Sequence, residues 1–150
     1  MMTSEIPLRT DDFGKILGLA VHDSNLTGFT YAGESLELVL RGVKGDVSKI
    51  RCTSIHDANF AHLYHGAIVA DIYVWRLAEV PQAWDVPDGA WYVLYKERLG
   101  IEGAQTQALA LATTLPDHFL IQVECSYGGS IAAVCKGIEL VRGAGSPHRS

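Results

Sequence analysis

Three cysteines, no leader of the secretory kind, no long apolar run and few charges of either sign narrow this chain's options before any motif is read. Cys52, Cys125 and Cys135 are odd in number and lack CxxC spacing, which excludes a disulfide framework and a zinc ribbon and leaves buried thiols as the expectation. The start Met-Met-Thr-Ser-Glu has neither the basic residues nor the apolar run of a signal peptide. The longest apolar stretches fall far short of the ~20 residues of a membrane span. A cytoplasmic location with no membrane partner is therefore expected. Basic runs interleaved with aromatics are also missing, and 12 basic against 17 acidic side chains give a net charge of −5. That field repels phosphate backbones, so nucleic acid is not an expected partner. There is no GxSxG elbow, no P-loop and no GxGxxG following a strand.

What is present is enough for one domain: 150 residues, 48% of them hydrophobic. Its most distinctive feature is a near-repeat. His22-Asp23-Ser24-Asn25 and His56-Asp57-Ala58-Asn59 lie 34 positions apart, and each precedes a stretch that reads as a β-strand. In the same register Leu26 matches Phe60 and Leu36-Glu37-Leu38 matches Ala70-Asp71-Ile72. Two copies cannot make a solenoid, so an internal duplication within one domain and a chance similarity both stand.

Periodicity supplies the elements. Thr10-Asp11-Asp12 can cap a short helix continued by Phe13, Ile16, Leu17 and Ala20, although Gly14 and Gly18 weaken it. Leu36, Leu38 and Leu40 alternate with Glu37, Val39 and Arg41 as in a strand with one buried face, and Val47 to Ser54 pairs with it as a hairpin. Residues 67 to 77 read as a central strand with both faces covered, Ile68, Ala70, Ile72 and Val74 on one side and Val69, Asp71, Tyr73 and Trp75 on the other. Ala83 to Trp91 reads as a loop, Trp91 to Leu99 as a helix and Gly103 to Leu115 as a second helix ended by Pro116. Phe119 to Tyr127, a two-residue turn at Gly128-Gly129, and Ser130 to Val141 form a C-terminal β-hairpin. In that register Cys125 faces Ala132 and Cys135 faces Gln122, so the two cysteines are not cross-strand partners. The expected fold is α+β, an antiparallel β-sheet with two or three short helices packed on it, over residues 1–142, and a disordered tail over 143–150.

Two constellations carry possible function. His22, Asp23, His56, Asp57, His62 and His65 supply the nitrogen and oxygen ligands that suit one divalent metal ion, which could generate hydroxide for ester or phosphoester hydrolysis. The HD dipeptide is also found in HD-domain phosphohydrolases, but those are all-helical and this chain is strand-rich, which rejects them. The alternative needs no cofactor: each Asp or Asn accepts backbone N–H groups in a turn entering a strand, and each His packs against its neighbours. The second constellation is aromatic. Trp84, Trp91 and Tyr92 fall in or beside a loop rich in proline and glycine, where they could anchor a protein partner. A catalytic Cys125 or Cys135 beside His118 is disfavoured by the expected burial of both strands.

His22-Asp23-Ser24-Asn25-Leu26 followed by Leu36 to Leu40, together with Cys125-Ser126-Tyr127-Gly128-Gly129 followed by Ile131 to Leu140, resembles a loose class of small uncharacterised bacterial proteins similar to toxin-immunity proteins of polymorphic systems. The resemblance spans about residues 12 to 142. It implies an acidic, cytoplasmic binding protein that neutralises a partner by occlusion, without catalysis of its own. The leading expectation is accordingly a non-enzymatic interaction domain for a basic protein partner. The alternative is a small metal-dependent hydrolase.

Overall fold

The computed structural model describes residues 3–19, 21–63, 66–79, 85–96, 100–127 and 129–143. Its seven strands are β1 (Thr3–Ile6), β2 (Asn25–Ala32), β3 (Ser35–Arg41), β4 (Val47–Ala61), β5 (Ala67–Arg76), β6 (Phe119–Cys125) and β7 (Ser130–Gly143). Two helices, α1 (Asp85–Tyr95) and α2 (Gly100–Thr114), sit in the chain between β5 and β6. The α+β content and the C-terminal hairpin agree with the sequence expectation. The sheet, however, does not stay open. All pairings are antiparallel in the order β1-β7-β4-β3-β2-β5-β6, and β6 also pairs with β7. Strands β2 to β7 therefore close into a six-membered ring, and β1 continues the wall beside the far end of β7. Closure removes most of the exposed edges that an open sheet would leave.

Two hydrophobic cores follow from that closure. Leu36, Leu38 and Leu40 point inward with Ile50, Cys52, Ile72, Val74, Ile121, Val123, Ile131 and Cys135, filling the barrel. On the outer face of β5, β6 and β7, Tyr73, Trp75, Leu120, Ala132 and Val134 pack under α1 and α2 against Trp91, Leu94 and Ala108. Each of these three strands thus has both faces covered, which explains the unbroken apolar runs Ile72 to Trp75, Leu120 to Ile121 and Ile131 to Cys135. Burying one such Leu or Ile contributes about 1.5–3 kcal/mol.

Irregularities adjust which residues face inward. A bulge between Val69 and Asp71 shifts β5, so Ala67 and Val69 join Ile72 and Val74 inside. The strict alternation expected for this strand is broken there. In β4 the inward side passes from Cys52 to Ile55, and in its partner β7 from Cys135 to Ile138. Both strands slip at the same level and so keep their register, with Ser54 at φ 51° and a further bulge between Ile55 and Asp57. All three cysteines are free and buried. Contact with the Cys52 thiol, and then burial, push the Cys135 thiol above its ordinary pKa.

Three local expectations are corrected. Residues 10 to 19 form no helix. Asp11 Oδ1 accepts the N–H groups of Phe13 and Lys15, and Gly14 and Gly18 take φ values of 90° and 91°. The segment instead bridges to itself at Thr10 and Ile16 and lies along β5, with Val74 N–H donating to Gly14 O and Ile16 N–H to Ile72 O. We call it the strap. Helix α1 begins at Asp85, inside the stretch read as a loop; Pro87 is tolerated because N–H groups of a first helical turn have no intrahelical acceptor. Finally, the β6–β7 hairpin pairs Glu124 with Ser130, Gln122 with Ala132 and Phe119 with Cys135, so its loop is longer than the two-residue turn expected. Cys125 lies opposite Val69, and the conclusion that Cys125 and Cys135 are not cross-strand partners stands. The tail beyond residue 143 lies outside the described residues.

Candidate functional site

The two HD-x-N elements adopt different structures. The first is a turn: Asp23 has φ 63°, Ser24 Oγ donates to Val21 O at 2.6 Å, and the Asn25 side chain donates to Gly66 O at 2.9 Å. The second lies within strand β4, at its bulge. His22 is exposed and its Nδ1 meets Ala70 O at 2.8 Å; that bond, then the charge of Asp23, raises its pKa above the ordinary value. The charges of His56 and Lys136 both act on His118, and the charge of Asp57 acts on Tyr95 of α1. Among the described residues no group of three or more His, Cys, Asp or Glu side chains is placed to hold a metal ion. His62 takes φ 52° at the end of β4, and His65 lies outside the described residues. The structure thus does not bring the candidate ligands His22, Asp23, His56 and Asp57 into one site.

The aromatic candidates also separate. Trp91 is 0% exposed, stacked on Tyr95 at 5.9 Å between helix and barrel. Its indole is part of the outer core, which corrects its assignment as a partner anchor: a side chain with no accessible surface cannot meet another molecule. Tyr92, one position on, faces out at 45% exposure. Trp84 lies outside the described residues.

The unusual surface is elsewhere, where the ring of strands is incomplete. β2 pairs with β5 only at Asn25 and Leu26. From Gly28 to Ala32 its ladder runs to β3 alone. β4 pairs with β3 only from Val47 to Cys52, and beyond Ile55 only with β7. Among the described residues, these stretches of β2 and β4 have no strand on that side and lie near each other, Phe60 of β4 contacting Phe29 and Tyr31 of β2; the gap between them is a slit. Its ends are pinned where Ile55 N–H donates to Glu34 O at 3.1 Å and Gly66 N–H to Leu26 O at 2.8 Å.

Ladder geometry identifies the unpaired groups. Ala32 and Ser35 flank the two-residue loop Gly33-Glu34, so Ala32, Thr30 and Gly28 exchange hydrogen bonds with β3. The N–H and C=O groups of Phe29 and Tyr31 then point into the slit. Opposite them, the Phe60 N–H is taken by the side chain of Asn59 at 2.9 Å. Side chains span the gap: Phe29 and Tyr31 meet Phe60 edge-on at 4.7 and 5.7 Å. Phe29 and Tyr31 remain 39% and 45% exposed. The sequence reading missed this strand. Its signal was Phe29-Thr30-Tyr31 beside a Gly33-Glu34 turn and the alternating leucines of β3.

A second opening, a cleft of about 630 Å³, lies between the strap, the ends of β5 and β6 and residues 136–138 of β7. Comparison with protein-family models, with curated proteins and with solved structures finds no match for this chain. Among the described residues no helix is long and apolar enough to cross a membrane.

Proposed function

We propose that the protein is an interaction module that captures an extended segment of a partner protein along the free edge of β2. The observation that supports this reading is the unpaired run of β2 at Phe29 and Tyr31, exposed and bearing aromatic side chains. An open edge of this type templates strand addition: the backbone supplies affinity, and alternate side chains supply selectivity. Thr27 to Ala32 contains no charge and no proline, the residues that usually blunt such edges. Occlusion of a partner in the manner of an immunity protein is one form of this capture. The net charge of −5 would steer a basic partner toward it.

The test is selection of linear peptides from a displayed library on the full chain. Selected peptides are expected to protect the Phe29 and Tyr31 amides from exchange and to lose binding to Tyr31→Pro, which removes an outward N–H without touching the β3 ladder. Phe29→Lys is the second variant. Peptides that bind both variants as well as the parent would rule the edge out.

A further inference from the structure

The cleft beside the strap differs from the slit in having both charged and apolar residues in its lining. Leu8, Val74 and Ile138 are among the apolar ones. On the sheet side stand Arg76 and Lys136; on the strap and just beyond β5 stand Asp11, Asp12 and Glu79. Among the described residues neither Arg76 nor Lys136 has a carboxylate within ion-pair distance, although three carboxylates line the same cavity and Arg51 elsewhere engages two at once. Among the described residues these cations and carboxylates form no ion pair with one another.

Local contacts fix one charge of each sign. The Arg76 guanidinium lies over the Phe119 ring, 5.0 Å from its centroid, and the strand register sets Arg76 directly opposite Phe119. Asp11 Oδ1 is held by the N–H groups of Phe13 and Lys15 at 2.8 and 2.9 Å. Groups immobilised before binding lose less freedom when a ligand arrives. Charges of both signs that do not pair with each other, lining one partly apolar cleft, complement a dipolar ion and oppose a ligand of single sign, which must meet like charge.

We infer that this cleft binds a small zwitterion of amino-acid or short-peptide type, its carboxylate toward Arg76 and Lys136 and its ammonium group toward Asp11, Asp12 and Glu79. The site uses strands other than those of the slit and does not depend on partner capture.

Calorimetric titration of the full chain tests it, using the common amino acids and simple dipeptides, each beside its N-acetyl and amide derivatives. At least one zwitterion is expected to bind saturably, with removal of either ligand charge weakening it about tenfold or more. Arg76→Gln and Asp11→Asn should each produce a similar loss; Asn keeps the oxygen that accepts the turn's N–H groups. If Asp11→Asn disturbs the strap, Glu79→Gln provides the second carboxylate variant. No saturable zwitterion at millimolar concentration would overturn the inference. So would equal binding of acetate or phosphate alone, or unchanged affinity in Arg76→Gln and the carboxylate variant.

Discussion

The slit and the cleft, two openings at the barrel wall, are opposites. The slit between β2 and β4 is uncharged and aromatic, bounded by backbone groups with no strand to receive them. The cleft beside the strap has backbone groups already engaged, with Val74 bonded across to the strap and Ile16 to β5, and offers side-chain charge instead. One opening suits an extended chain, which brings its own hydrogen bonds in strand spacing. The other suits a compact ion. The same ring of strands produces both, because β5 starts too late in the chain to cover β2 and β6 starts too late to cover residues 136–138 of β7.

A change that serves neither opening sets the scale. Trp91→Ala removes a wholly buried indole from the outer core and should cost about 3–5 kcal/mol, read by urea unfolding; a near-neutral result would mean that Trp91 is not packed as described. Next in size is Gly14→Val. A Cβ there would overlap the Trp75 indole, at a φ of 90° that a β-branched residue resists. We expect a loss of about 2–4 kcal/mol and collapse of the cleft's strap wall, with amide exchange in β2 unchanged. If exchange in β2 accelerates too, the two openings are not independent.

Phe60→Ala removes the ring that bridges the slit. Because Phe60 is only partly buried, the cost should be about 1–3 kcal/mol, with faster exchange at Phe29 and Tyr31 and no effect at the cleft.

The smallest expected effect separates the openings by pH. Burial, then the neighbouring His56 and Lys136, hold the His118 pKa below its ordinary 6.5. The folded state therefore binds fewer protons than the unfolded one around that pH. The associated stability is fully present above 6.5 and is lost as the solution is acidified through it. His118→Gln should flatten that part of the melting-temperature profile, and Phe60→Ala should not. An unchanged profile in His118→Gln would assign the acid sensitivity elsewhere.

Much of the fold was legible where a single local pattern decided it. The alternating leucines of β3, the hairpin to β4, the covering of both faces of β5 and a helix stopping before Pro116 appear as read, although the bulge in β5 changes which of its residues face inward. What was not legible depended on distant pairing. Nearly the same tetrapeptide makes a turn at His22 and lies in a strand at His56, because one adjoins the start of β5 and the other is paired to β7 at Asp57, Ala58 and Asn59. Asp11 looks like a helix cap in either setting, and only β5 decides that the segment after it stays extended. The slit was invisible for the same reason: an edge is defined by the strand that is missing, and no residue of β2 records that.

Residue-resolved amide exchange of β2 in the free protein tests the central claim most directly. Phe29 and Tyr31 should exchange quickly, and Gly28, Thr30 and Ala32, which donate to β3, slowly. Equal protection along the strand would show that the edge is already paired and would contradict the capture of an extended partner there.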